Sequence, residues 1–153
     1  IRKYKDRIFN LHASFLPWGK GIGTLFFSQI NFEPLGLSIH LINNTFDTGD
    51  VIFRKILYPQ ITDTTRTFYL YSLYELNKYF KQCWPYIKTG NFKRYKQHLI
   101  GKKSKYFSRN DFEQLIMKLP CGYDTSMFDL SVLGLIMKNN NECKISLKKL
   151  MER

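Results

Sequence analysis

The chain has 153 residues, 44% of them hydrophobic and 16% aromatic, and its 24 Lys and Arg outnumber 12 Asp and Glu for a net charge of +12. This apolar content excludes a disordered chain, and no apolar run reaches the ~20 residues that a membrane-spanning helix needs. The positive charge would suit polyanions, but Lys, Asn, Tyr, Ile and Phe are abundant together, as an AT-rich coding sequence produces, and the basic residues are dispersed apart from Lys102, Lys103 and Lys105 and the pair Lys148 and Lys149.

Residues 7–12 read as a short buried strand that stops before Leu16-Pro17, because proline cannot donate to a sheet ladder. Trp18 to Gly23 is a glycine-rich turn, read first as a tight strand-to-helix connection and second as a set of backbone N–H groups able to meet an anion. A short apolar helix is predicted over 22–30 and a loop over 31–36. Leu37, Ile39 and Leu41 alternate with Ser38 and His40, the period of a strand, and residues 51–58 form a second strand across the 43–50 loop.

Asp63, Thr64 or Thr65 caps the next helix. Its apolar stripe is Tyr69, Leu73, Leu76, Phe80, Cys83 and Ile87, which predicts packing on the sheet. Pro85 is predicted to end or kink it near Trp84, with Thr89-Gly90-Asn91 as the stop. Beyond residue 91 the pattern weakens. It suggests a helix over 111–119 closed by Pro120, a cap at 123–126 for a helix through Met137, a turn or frayed break at 139–141, and a basic tail from 144.

Cys83, Cys121 and Cys143 form no CxxC pair, which predicts reduced thiols of a cytoplasmic protein, with Cys83 in the core. His12, His40 and His98 lack metal-ligand spacing, so no metal is predicted.

The chemistry-bearing stretch is Asn10-Leu11-His12-Ala13-Ser14-Phe15-Leu16-Pro17, with Asp47-Thr48-Gly49 downstream. Asn10 and His12 sit two apart on the first strand, so both side chains reach the same face. Asp47 lies in the loop before the strand that starts at Val51, from where a carboxylate can return toward the imidazole. Taken singly, each residue has an ordinary structural explanation: a histidine at a strand end, an asparagine beside a turn, an aspartate before Thr-Gly. Ser14 lacks the flanking glycines of a nucleophile elbow, which argues against a serine hydrolase.

Together and in this order, the residues resemble the folate-dependent formyltransferase family. Its pattern is Asn-x-His-x-Ser-x-Leu-Pro, a glycine four residues on (Gly21), a helix, a strand and a loop with Asp-x-Gly. The match covers residues 8–60. The resemblance implies an α/β fold: the C-terminal portion of a Rossmann-like formyltransferase domain over 1–90, with a small, partly helical C-terminal appendage over 91–153. In the family a further βαβ portion precedes this strand and supplies part of the folate pocket. Nine residues precede Asn10 here and the first is Ile1, so the chain is expected to be the C-terminal part of a longer protein.

The resemblance further implies transfer of a formyl group from N10-formyltetrahydrofolate to a primary amine. Asn10, His12 and Asp47 are the implied catalytic residues, and Asn44, Thr45, Phe46 and Asp47 the implied wall of the folate pocket. Asn10 would donate to the oxyanion, His12 would act as a cationic donor or a neutral base, and Asp47 would hold His12 or relay its proton. His40 is expected to support the sheet near the site.

The acceptor favoured is a nucleotide-linked amino sugar, because Leu16-Pro17-Trp18-Gly19-Lys20-Gly21 resembles polysaccharide-biosynthesis members. The segments after residue 92 also do not read as the five alternating strands of an OB-like domain. Methionyl-tRNA formyltransferase is the runner-up, with tRNA as partner. A catalytically silent fragment serving as a binding module is the alternative from a different class.

Overall fold

A computed structural model describes residues 6–101 and 105–151, with side chains as far as residue 140. Lys102, Lys103 and the side chains of Cys143, Lys148 and Lys149 lie outside the described residues. The elements are β1 (Phe9–His12), β2 (Lys20–Gly21), α1 (Thr24–Ile30), β3 (Gly36–Leu41), β4 (Val51–Ile56), α2 (Thr65–Thr89), α3 (Gln97–Ile100), β5 (Tyr106–Phe107), α4 (Arg109–Ile116) and α5 (Met127–Met151).

The main sheet has the order β1-β3-β4, and both of its strand pairings are antiparallel. In the β1–β3 pair Asn10 lies opposite His40 and His12 opposite Ser38. Facing residues of an antiparallel pair project to the same side. One face of the sheet therefore carries Asn10, His12, Ser38 and His40, and the other Phe9, Leu37, Ile39 and Leu41.

Helix α2 covers the apolar face. Leu37, with Phe68, Leu76, Leu25, Phe26 and Leu130, forms one core, and Ile39, Leu41, Ile52, Cys83 and Ile87 form a second. Full burial of a side chain such as Phe68 contributes about 1.5–3 kcal/mol. The polar face is closed by the chain after β1, where Ser38 Oγ donates to the Ser14 carbonyl at 2.7 Å and accepts from Leu16 N–H at 2.9 Å.

The capping prediction for α2 resolves to Thr64, whose hydroxyl accepts from Thr67 N–H while the Thr67 hydroxyl accepts from Thr64 N–H. Two expectations for this helix are corrected. Of the two outcomes expected at Pro85, an end or a kink, the end does not occur: the helix continues to Thr89 and stops at Gly90. Cys83 and Ile87 are buried on either side of Pro85, while Lys81 and Pro85 face solvent, so the helix is held on the sheet and the carbonyl deprived of its donor lies on the solvent side. The buried face is also rotated. It runs through Phe68, Ser72, Glu75, Leu76, Cys83 and Ile87, whereas Tyr69 and Leu73 are exposed. Periodicity of apolar residues does not reveal a Glu on the inner face. Glu75 sits there because Lys55 of β4 neutralises it at 2.6 Å.

Further differences lie outside the sheet. Within the glycine-rich turn, Lys20 and Gly21 form a two-residue strand parallel to β5. A Cβ on Gly21 would stand 2.0 Å from the Phe107 carbonyl oxygen, so the close pairing requires glycine. The helix predicted from residue 22 begins at Thr24, behind Gly23 in the left-handed conformation. No break occurs at 139–141, where α5 runs on to Met151. Residues beyond 91 pack into the body: β5 joins β2, α5 lies along α1, and Tyr95 makes a two-hydrogen-bond bridge to Val51. No described helix is long and apolar enough to cross a membrane.

Candidate active site

The structure brings Asn10, His12 and Asp47 together with His40 at one end of the polar sheet face. Asn10 and His40 meet because they are register partners. Nδ2 of Asn10 lies 3.1 Å from His40 Nε2, and His40 Nδ1 lies 2.9 Å from the Leu41 carbonyl oxygen. A carbonyl only accepts, so Nδ1 carries the hydrogen and Nε2 accepts from Asn10. That fixes the Asn10 amide with its NH₂ inward, where its second N–H spans a long 3.5 Å to Asp47 Oδ1. The opposite flip would set an amide oxygen against a carboxylate.

His12 is oriented by the glycine-rich turn. Its Nε2 is 2.9 Å from the Gly19 carbonyl oxygen and 3.9 Å from Asp47 Oδ2. The Nε2 hydrogen therefore goes to Gly19, and in the neutral ring Nδ1 is the basic nitrogen. Burial pushes the His12 pKa below 6.5, outweighing the opposing pull of Asp47 and the Gly19 carbonyl. The ring is neutral at pH 7.

Asp47 arrives through a loop with its own internal order. Asn43 Oδ1 accepts from Thr45 N–H at 3.1 Å and from the Thr48 hydroxyl at 2.9 Å, an Asx-type turn. Asp47 itself has φ 52°, in the left-handed region that Asp tolerates better than most residues. Gly49 then passes so close to β3 that a Cβ would lie 1.7 Å from the Leu41 carbonyl oxygen. Asp47 Oδ2 accepts from Gly21 N–H at 3.0 Å, and Oδ1 lies 3.6 Å from His40 Nε2. Burial alone would raise the carboxyl pKa, but the imidazoles of His40 and His12, when they carry a second proton at low pH, and the Gly21 N–H together hold it below the ordinary value, so it stays ionised. The second reading of the glycine-rich turn is thus met from within, since the anion at Gly21 is the chain's own carboxylate.

Beside the cluster opens a cavity of about 430 Å³ whose walls include Leu11, His12, Gly21, Thr24, Tyr69 and Leu73. Asn44 and Thr45 are exposed, and Phe46 is 80% exposed with its ring stacked 6.4 Å from that of Tyr106.

No family model matches the chain. Among solved structures it is similar to the formyltransferase PseJ from Anoxybacillus kamchatkensis, at 32% identity and TM-score 0.79, over 87% of this chain and 69% of that one. The chain belongs to the folate-dependent formyltransferase family.

The PseJ structure is a complex with UDP-4,6-dideoxy-4-formamido-L-AltNAc and tetrahydrofolate. A second formyltransferase, from Helicobacter canadensis in complex with folinic acid and dTDP-3-aminofucose, is 36% identical with TM-score 0.62, over 69% of this chain and 39% of that one. A methionyl-tRNA formyltransferase from Finegoldia magna is 38% identical over 53 residues, which is 34% of this chain and 17% of that protein. The chain thus spans well under two thirds of the latter two formyltransferases and just over that share of PseJ.

Three participants in the geometry escape a reading of the formyltransferase motif. The Gly19 carbonyl and the Gly21 N–H are backbone groups, and only the density of glycines in Trp18–Gly23 hints at them. Gln97 donates through Nε2 to the carbonyl oxygens of Asp47 at 2.9 Å and Gly49 at 2.8 Å, from a segment with no sequence signal of its own.

Proposed function

We propose that this chain is the C-terminal catalytic part of a formyltransferase that moves a formyl group from N10-formyltetrahydrofolate to the primary amine of a nucleotide-linked amino sugar. The observation that carries the reading is the convergence of Asn10, His12 and Asp47 within hydrogen-bond or ion-pair range of a shared point. The sugar acceptor is supported by two relatives above 30% identity, both captured with nucleotide-linked sugars and folates. Residues 1–90 are assigned to the catalytic domain and 91–153 to the appendage, and a cytoplasmic setting is supported by the free thiols Cys83 and Cys121.

Bound formyl-folate supplies an activated one-carbon acyl group. The exposed ring of Phe46 on the Asp47 loop, next to that of Tyr106, fits a flat heteroaromatic partner, with Asn44, Thr45 and Asp47 completing the wall. Within this chain, Asn10 donates its second N–H to the negative charge developing on the formyl oxygen. Neutral His12 takes the proton of the attacking amine at Nδ1 and can return it to the folate nitrogen as the formyl carbon–nitrogen bond breaks, so that tetrahydrofolate and the formamide leave with no net change in protons. Ionised Asp47 stabilises the imidazolium that results, as an opposite charge does at short range in a partly buried site.

The experiment is a formylation assay on the chain and on the longest reading frame that contains it, with formyl-folate and a panel of UDP- and dTDP-linked amino sugars set against methionyl-tRNA. Formylation of an amino sugar is the expected result. Formylation of the tRNA alone would replace the acceptor with the runner-up. Binding of unrelated RNA that weakens steeply with salt, without transfer of a formyl group, would favour the binding-module alternative.

A further inference from the structure

Gln97 opens α3, in the part of the chain assigned to the appendage, yet its side chain is 6% exposed and lies under the loop that carries Asp47. Its Nε2 donates one hydrogen to the Asp47 carbonyl oxygen and the other to the Gly49 carbonyl oxygen. Both donors of the amide are thereby spent on the two carbonyls that flank Thr48. The other end of the amide, Oε1, is buried and has no hydrogen-bond partner. The hold of this amide on the protein is therefore through its two donors.

The loop needs a tether. Asp47 is a non-glycine residue at φ 52°, and the neighbouring Gly49 is pressed against Leu41. From within, the loop is tied by Asn43, Thr45 and Thr48, all on its exposed side. On its buried side Gln97 donates to the Asp47 and Gly49 carbonyls, and Leu41 N–H of β3 donates to the Asp50 carbonyl at 2.9 Å. The segment that bears Gln97 is itself anchored on β4, because Val51 and Tyr95 exchange both backbone hydrogen bonds.

We infer that Gln97 is a positioning residue of the formyl-transfer site: by holding the Asp47 and Gly49 carbonyls it sets the Asp47 carboxylate at the Gly21 N–H and within reach of His12. The inference rests on the proposed function for its catalytic consequence, and on the hydrogen bonds alone for its geometric one. The appendage is accordingly part of the site's construction. A catalytic group misplaced by about 1 Å can cost ~10²-fold in rate.

The test uses the full chain in four forms: wild type, Gln97→Met, which keeps length and bulk but has no donor, Gln97→Asn, which keeps the amide but shortens its reach and adds no charge, and Ser126→Ala. The last removes the hydroxyl that accepts from Asp129 N–H at the start of α5, so it weakens an element that takes no part in the Asp47 contacts. The first readout is the titration of the Asp47 carboxyl carbon followed by NMR, with thermal unfolding recorded alongside. Q97M and Q97N are expected to raise the Asp47 titration midpoint toward the ordinary carboxyl value. S126A is expected to lower the unfolding temperature and leave that midpoint where the wild type has it. The second readout is formyl transfer, in which Q97M is expected to lower kcat by about 10- to 100-fold with little change in the amine KM.

An Asp47 midpoint in Q97M equal to wild type would overturn the inference. So would an equal displacement in S126A, which would make the shift a general consequence of lost stability. If Q97M unfolds, Gln97→Asn gives the same readout. The carboxyl titration needs no turnover, so a wild-type chain that transfers no formyl group counts against the proposed function and not against the role of Gln97.

Discussion

Gly21 N–H donates to Asp47 Oδ2 at 3.0 Å, across 26 residues of sequence. The turn after β1 therefore holds the carboxylate directly, while the His12 ring, 3.9 Å from the same oxygen, is held by Gly19. Acid and base are positioned by two glycines of one turn and are not primarily bonded to each other. This leaves the imidazole able to change charge without breaking the hydrogen bond that orients Asp47.

Asn10 should be the most sensitive donor. Replacing it with Ala removes the N–H available to the formyl oxygen and leaves His40 Nε2 buried without its partner. We expect kcat to fall about 10²–10³-fold, the usual cost of one such donor. Steady-state kinetics with an amino-sugar acceptor measure it.

His12 should act as a base that works below neutrality. Its pKa lies below 6.5, so kcat/KM is expected to stay level through pH 7 and fall only at a pH below 6.5. The pH–rate profile measures this. A limb centred above pH 7 would contradict a neutral, buried His12. His12→Gln should lose about 10²–10⁴-fold in rate.

The same shifts contribute to the acid stability of the fold, beside the depressed carboxyls of Glu75, Asp111 and Asp124. His12 titrates lower when folded, so its contribution is full above the unfolded value of 6.5 and is lost as pH falls from there through the folded pKa. Asp47 is also depressed, so its contribution is full above the ordinary 3.8 and is lost as pH falls through its lower folded value. Both make acid destabilising, in successive windows. Urea unfolding from pH 7.5 down to pH 3 should show two losses, and His12→Gln should remove the upper one.

Gly49 should tolerate no side chain. An alanine Cβ would stand 1.7 Å from the backbone oxygen of Leu41, so either β3 or the Asp47 loop must move. Gly49→Ala is expected to reduce both activity and unfolding temperature. Phe68→Ala, fully buried in the core under α2, should cost about 3–5 kcal/mol of stability by cavity formation. Chemical denaturation measures both.

The alternation of Leu37, Ile39 and Leu41 with Ser38 and His40 made β3 and its two faces readable, and Asn10-x-His12 placed both side chains on one face. These are local regularities, fixed by the two-residue period of a strand. The cap of α2, narrowed to Asp63, Thr64 or Thr65, and its Gly90 stop were readable from the local chemistry of helix ends, while the choice of Thr64 came from the fold. The face of α2 was not readable, because Glu75 turns inward chiefly to meet Lys55 on a separate strand, with Lys78 of its own helix at its other oxygen. Pro85 stays inside its helix because Cys83 and Ile87 anchor both sides of it, a tertiary effect that outweighs a local preference.

The sequence by itself determined the inventory: an amide, an imidazole and a carboxylate in family order, with glycines where the turns are tight. Only the tertiary structure decided which groups touch. The pairing of Asn10 with His40 follows from strand register, the hold on Asp47 from a backbone N–H that every residue but proline possesses, and the seat of the Asp47 loop from Gln97, fifty residues downstream. Backbone donors and long-range amide contacts leave no mark in residue identity, because their chemistry is common to the whole chain and their selectivity comes from where folding puts them.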